Sequence, residues 1–424
     1  RRAYQDEQPK PWLLEGHARR IFPLFHKRRL FAEAAGFLLY DFYRPEGGVD
    51  ENVFAFSNRA GGERSLVVYH NKYAETRGWI RTAAAYAAKV GSGGSKVLVH
   101  KALSDGLALS GEPSSWVVFR DHVSGLEHLR NSREMCEKGL YLELHAYECR
   151  VYLDFREIPE DRRGLLGRLA GELRGGGVPS LEAALRELRT RAARRAFLDI
   201  LHPGFLDWLA ARSGDETELD EAGGQIEGKA LALARAVNDE IGPDALNEAA
   251  FAARIRSGFE AVLAAGLKET GPASSPFSAE LARSSLFGWA VLRALGPARA
   301  ADFGLDVALA ESWREAAGDE LKARQAVHAI RALSGPDAVL GPKETAESAA
   351  RKIADRMRTD PDLRAALLVN EYQGVEYFHQ ESSDRLLGWL EAIGAADPAW
   401  ASARQAVPLL RDAIARSGFR LDRL

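Results

Sequence analysis

The residues most open to chemistry in this chain are three aromatic side chains, one glycine–lysine cluster and a scatter of histidines. Trp79, Tyr86 and Trp116 lie among short apolar segments. There an exposed ring can stack on the apolar face of a sugar, while a buried one packs a core. The three are the candidate substrate-binding residues. Gly91-Ser92-Gly93-Gly94-Ser95-Lys96 has the amides and the lysine that cradle phosphates. A phosphate loop, however, needs four residues between its glycines, Ser or Thr after the lysine, and then a helix. Here Val97-Leu98-Val99 begins a strand, so the cluster reads as a hairpin tip. His122, His128 and His145, with Glu127 and Glu134, form the tightest group of metal-capable side chains. They lack the His-Glu-x-x-His spacing that sets two ligands on one helical face, and read as hydrogen-bonding histidines. No Gly-x-Ser-x-Gly elbow offers a serine nucleophile. No catalytic residue, metal or cofactor is expected.

The elements around these residues change character near Pro159. Between 16 and 35, Ile21, Leu24, Phe25, Leu30 and Phe31 recur at helical spacing among basic residues, which predicts an amphipathic helix interrupted or begun near Pro23. Residues 37–43 are short, aromatic and bounded by Gly36 and Pro45, which favours a strand or buried extended segment. Segments 53–57, 65–70, 97–101, 116–120, 140–144 and 149–155 are rich in β-branched or aromatic residues, and turn residues such as 58–63 separate them. Short strands without long helices between them predict an antiparallel sandwich. Past Pro159 the period is helical: after a start signal at Pro179-Ser180, helices are predicted over about 229–241, 244–267, 278–295, 313–333, 343–358, 361–371 and 382–393. Loop 271–276 separates two of them, 213–228 reads as a mobile acidic insertion, and 369–378 as a buried turn between helices. The expected fold is α+β and multidomain: a helical segment at 1–45, an antiparallel β-sandwich at 46–158 and an all-α domain at 159–424.

Composition bounds the function. With 46% apolar and 28% charged residues the 424-residue chain is an ordinary globular protein. Its 57 basic and 60 acidic side chains leave a net charge of -3, which gives no general attraction to nucleic acid or anionic lipid. Two cysteines, Cys136 and Cys149, are too few for a disulfide framework and are expected as free, buried thiols in strands. No apolar run reaches the ~20 residues of a membrane span. No signal-peptide core is seen near the start, so a cytoplasmic location is expected. The chain opens Arg1-Arg2-Ala3 without a methionine, and further residues upstream are expected.

Several segments together resemble the end of an alpha-amylase family glycoside hydrolase. IFPLFHKRRLFAEAAGFLLYDF, within 17–43, is similar to the last helix of that family's barrel and the segment leaving it. NVFAFSNRAGGERSLVVYHN (52–71) resembles the opening hairpin of its C-terminal sandwich, and LELHAYECRVYLDF (142–155) the closing one. The resemblance covers about the first third of the chain. It implies a parent acting on α-glucans, with a catalytic (β/α)8 barrel upstream and its nucleophile, acid/base and sugar-orienting carboxylates there. Gly418-Phe419-Arg420-Leu421-Asp422 is similar to the family's nucleophile strand. A retaining glycosidase, however, places its second carboxyl ~5–5.5 Å away, and in the family it comes from a later strand. Asp422 therefore reads as part of an exposed tail after a helix ending at Gly418. The helical extension departs from the common family architecture. The expectation is a non-catalytic portion that buttresses an upstream barrel of the same polypeptide, the helical half stabilising it, dimerising or shaping the α-glucan path. The alternative is a self-contained helical interaction or scaffold protein without sugar chemistry.

Overall fold

In a computed structural model of the chain, the described residues are 9–32, 34–90, 95–212, 216–264, 279–335 and 344–424. The glycine tip at 91–94 and loop 271–276 lie outside them. The chain divides into two compact units, Arg1–Arg189 and Thr190–Leu424, and the fold is mixed α+β.

The first unit contains α1 (Pro11–Arg20), α2 (Phe22–Phe25), α3 (Arg28–Ala32), β1 (Leu38–Tyr43), β2 (Val53–Ala60), β3 (Glu63–His70), β4 (Thr76–Ala83), β5 (Tyr86–Val90), β6 (Ser95–Val99), α4 (Leu103–Leu107), β7 (Ser115–Asp121), β8 (Glu127–Asn131), α5 (Ser132–Lys138), β9 (Leu140–Leu144), β10 (Cys149–Pro159), α6 (Leu165–Leu173) and β11 (Gly177–Val178). The division falls inside α7 (Leu181–Ile200). The helix predicted at 16–35 is thus three short helices, and it begins earlier, at Pro11. Proline is well tolerated in a first helical turn, where its missing N–H has no partner to lose.

Nine strands form one antiparallel sheet in the order β11-β8-β7-β10-β3-β2-β1-β4-β9, with β5 and β6 as a separate ribbon. The sheet curls as a half-barrel. Its inner face buries Tyr40, Phe42, Leu66, Val68, Ile80, Phe119, Leu142 and Tyr152 together with Leu103 and Leu107 of α4 and Met135 of α5. Residues from strands distant in the sheet order share this core, which flat strands could not do. A register shift in β10 between Leu153 and Arg156 contains Asp154 at φ 56°, so Tyr152 and Phe155 both reach the inner core. On the outer face α3 covers Ala60, Val151 and Leu153 with Leu30. Leu165, Leu166 and Leu169 of α6 and Leu181 and Leu188 of α7 cover Val118 and Leu129. Both helices lie beyond Pro159, and β11 pairs with β8, so the β-rich unit carries past the change of texture read in the sequence.

The second unit continues with α8 (Pro203–Ala211), α9 (Glu216–Ile241), α10 (Glu248–Ala264), α11 (Ala279–Leu295), α12 (Pro297–Asp302), α13 (Leu305–Ala317), α14 (Glu320–Ser334), α15 (Ala346–Thr359), α16 (Pro361–Ala366), β12 (Asn370–Tyr372), β13 (Val375–Tyr377), α17 (Gln380–Ala396) and α18 (Ala401–Ser417). One core unites them around Trp313, Trp400, Phe259 and Phe287. Three expectations are corrected here. Residues 216–228, read as a mobile insertion, are the first half of α9, whose Ala222 and Ile226 are buried. The helix expected over 313–333 is broken by Gly318 at φ 68°, a conformation glycine adopts without a Cβ penalty, and Asp319 caps its second half. The buried turn expected at 369–378 between helices is a hairpin between α16 and α17 with β12 exposed, β13 half-buried and Phe378 buried, and with Gln373 and Gly374 at positive φ.

Candidate functional site

The structure separates the three aromatic candidates. Trp116 packs beside α6 in the core that covers β7 and β8, its ring 3.4 Å from where a side chain on Gly167 would stand. Tyr86 packs against the inner core and carries the Lys101 ammonium 5.8 Å from its ring centre. Trp79 alone stands on the outer face at the β1–β4–β9 end of the sheet.

There it belongs to a row. Register places Tyr43 of β1 opposite Trp79 of β4, and Trp79 opposite Tyr141 of β9. Neighbouring strands stand ~4.8 Å apart, and of the two neighbouring pairs Trp79 and Tyr141 bring their rings into contact. The Trp79 and Tyr141 ring centres are 5.0 Å apart, tilted by 56°, a geometry aromatic pairs favour over a face-to-face sandwich. Two glycines sit against neighbouring backbone here, Gly78 in β4 and Gly139 just before β9. A Cβ on Gly78 would lie 2.2 Å from the Tyr43 carbonyl oxygen, and one on Gly139 would lie 2.2 Å from that of Ile80. Only hydrogen fits at either place.

Polar groups surround the row. The Arg81 guanidinium lies 4.8 Å from the Tyr43 ring centre, a cation–π distance. Arg77 and Glu46 form an exposed pair at 3.5 Å. The Tyr141 hydroxyl donates to Glu143 at 3.0 Å. Partial burial, then the neighbouring Asp41 carboxylate, raise the Tyr43 phenol, so it stays protonated at neutral pH. The arrangement offers flat apolar rings ringed by donors and acceptors of both signs.

The histidines do not converge. His122 Nε2 lies 2.9 Å from the Arg20 carbonyl oxygen, and His145 Nδ1 lies 3.1 Å from Glu75. His128 is buried, stacked on Phe119 at 5.4 Å and edge-on to Tyr152. Burial first, then the Arg130 charge, push its pKa down to about 4. No group of three His, Cys, Asp or Glu among the described residues could hold a metal ion. Glu127 sits at a structural junction: it accepts from the Leu181 amide at 2.7 Å, capping α7, and pairs with Arg120 at 3.0 Å. Both cysteines are free, but Cys136 is half-buried on α5 and Cys149 is exposed at the start of β10. Both are free and Cys149 lies in a strand, as expected, but neither is buried and Cys136 lies on a helix.

At the far end of the chain α18 stops at Gly418 with φ 61°, the left-handed cap the sequence predicts. The tail after it is held, not free. Arg420 bridges Tyr377 of β13, the Phe378 amide donates to the Phe419 carbonyl at 3.0 Å, and Leu421 is buried. Arg420 grips both Asp422 carboxylate oxygens, at 3.0 and 2.6 Å, and holds the acid below its ordinary range. Asp422 is therefore an ion-paired carboxylate on a short 3-10 turn.

Sequence reasoning missed Tyr43 and Tyr141. The signal was the two glycines, which mark close strand approach in otherwise strand-like segments. Comparison with protein-family models, with curated proteins and with solved structures finds no match to this chain.

Proposed function

We propose that this chain is the non-catalytic C-terminal portion of an alpha-amylase family glycoside hydrolase or glucanotransferase acting on α-glucans. In this reading the curled sheet is the counterpart of that family's C-terminal sandwich, its flanks facing each other across the inner core. The helical unit is an added domain, and the catalytic carboxylates stand in an upstream barrel of the same polypeptide.

The observation that carries the reading is the state of α1 and α2. Neither helix has a buried residue. They and Ile21 between them nevertheless present large apolar side chains to solvent: Trp12 (65% exposed), Leu13, Leu14, Ile21, Phe22 and Phe25 (68%). Helices this short owe their stability in water to packing of an apolar face, and a contiguous exposed apolar surface marks a contact yet to be made. Ile21, Phe22 and Phe25 among them lie in the segment that resembles the last barrel helix, which in an intact barrel packs against its neighbours. On the sheet's outer face Phe37, Leu39 and Phe54 are exposed as well, and extend the surface that a barrel would cover.

Hydrogen–deuterium exchange of α1 and α2 tests this, comparing the chain with the longer protein that includes the upstream region. Protection of the amides of 11–25 in the longer protein supports the reading. Equal, rapid exchange in both would overturn it.

A further inference from the structure

We infer that a cavity in the second unit, between α14 and the segment running from α16 toward β12, binds a small phosphate monoester with an apolar body, of the nucleoside monophosphate class. The cavity measures about 380 Å³, within the range of small-molecule sites. Leu321, Arg324, Gln325 and His328 line it from α14, at the spacing that sets residues on one helix face. Arg364, Leu368 and Val369 line it from the other side. The chain leaves α16 by a left-handed turn at Leu368, φ 52°, and the Val369 amide donates to the Arg364 carbonyl at 3.0 Å. The apolar pair and the arginine are thereby kept together. The inference rests on the second unit alone and does not depend on the function proposed above.

The lining carries three basic side chains, Arg324, His328 and Arg364, and among the described residues no carboxylate. Their acidic partners stand off the lining: Glu320 pairs with Arg324, Asp362 with His328 and Glu376 with Arg364. Arg324 and Glu320 are both exposed, and such a pair costs little to open, so Arg324 can turn to an arriving anion. Arg364 holds Glu376 through both terminal nitrogens and offers a guanidinium fixed in place beforehand. The floor is fixed as well. Gln325 is 3% exposed; its amide nitrogen donates to the Ala366 carbonyl at 3.3 Å and to Ser382 at 3.2 Å, and its oxygen accepts from the buried Arg385 at 3.1 Å. A phosphate monoester carries close to two negative charges at neutral pH and offers three strong acceptor oxygens, so basic groups arriving from two elements can each take one. The rest of the ligand is selected by the wall. Leu321, Leu368 and Val369 give a flat apolar body its contact, which suits a nucleobase and leaves a polyhydroxyl without partners.

The test is isothermal titration calorimetry of the full chain with AMP, with adenosine and inorganic phosphate as the two halves of that probe. AMP is expected to bind with an apparent Kd of about 1 mM or tighter, and each half at least about tenfold more weakly. Arg324→Ala, at an exposed position on α14, should weaken AMP binding about tenfold, the loss expected when a charge-assisted hydrogen bond to phosphate is removed. Arg254→Ala, which removes an exposed arginine on α10, should leave it unchanged. Arg364→Ala should weaken binding to a similar extent. Where circular dichroism shows that this variant does not fold, Arg364→Lys, which keeps the charge and loses the fork, carries the result with the same expected direction. A wild-type chain silent toward AMP, undiminished binding by Arg324→Ala, or adenosine bound as tightly as AMP would overturn the inference. Inorganic phosphate bound as tightly as AMP would overturn the assignment of an apolar body.

Discussion

Lowering the pH from 7 to 5 should destabilise the first unit through one side chain, His128. It is 7% exposed, packed between Phe119 and Tyr152 and opposite Gly177 of β11, with its Nδ1 unpartnered among the described residues. Its pKa falls from 6.5 to about 4 on folding, chiefly through burial. The unfolded chain therefore binds a proton that the folded one refuses, and stability falls as pH drops through 6.5 toward 4. At pH 7 the unfolded form carries little extra charge, while at pH 5 the difference amounts to about 2 kcal/mol. With a urea dependence of ~2 kcal/mol per molar, the midpoint should move down by about 1 M. Asp50, Glu127 and Glu157 have pKa values lowered by hydrogen bonds to their carboxylates. The stability they add is present above the ordinary carboxylate range and is lost only below it, so they contribute little between pH 7 and 5. The assay is urea unfolding of the first unit, read by hydrogen–deuterium exchange of β8 and β10 amides at both pH values. His128→Leu should abolish most of the shift and stay within ~1 kcal/mol of wild type at pH 7, because it removes an unsatisfied polar atom along with a ring contact. A wild-type midpoint equal at both pH values, or a shift retained in His128→Leu, would refute the reasoning.

Three further outcomes follow from named contacts. Gly78→Ala sets a Cβ against the Tyr43 carbonyl at 2.2 Å and should cost about 1–3 kcal/mol or more as β1 and β4 part, seen as a lower urea midpoint. Glu127→Gln weakens the cap on α7 and leaves Arg120 and Arg156 without their shared carboxylate. It should cost about 1–3 kcal/mol and speed exchange of the amides in the first turn of α7. Asp422→Asn should leave α-glucan hydrolysis by the longer protein unchanged, since the carboxylate is engaged by Arg420. A large fall in rate would make Asp422 a participant.

The strands rich in β-branched and aromatic residues were legible: β2, β3, β7, β9 and β10 stand where such residues cluster. β4 was not, because Gly78 interrupts it and Arg77 and Arg81 hide its pattern, although those residues face water while Ile80 is fully buried. β8 was missed for the opposite reason: Glu127 and His128 are buried there, and burial of polar residues depends on partners that local sequence does not show. Helix breaks followed the same logic. Gly318 divides α13 from α14 through a backbone angle, while the apolar period continues past it. Trp79 could be named by residue type alone. Its neighbours Tyr43 and Tyr141 join it only through the register of β1, β4 and β9, which is set by pairing between segments far apart in the chain.

The measurement that tests the account most directly is reducing-end release from maltooligosaccharides, run on this chain and on the longer protein carrying the upstream region. Hydrolysis by the longer protein alone is the predicted result, with the catalytic carboxylates upstream. Hydrolysis by this chain by itself would contradict the account and return attention to Asp422. Silence in both would contradict it too, and would favour a self-contained interaction protein.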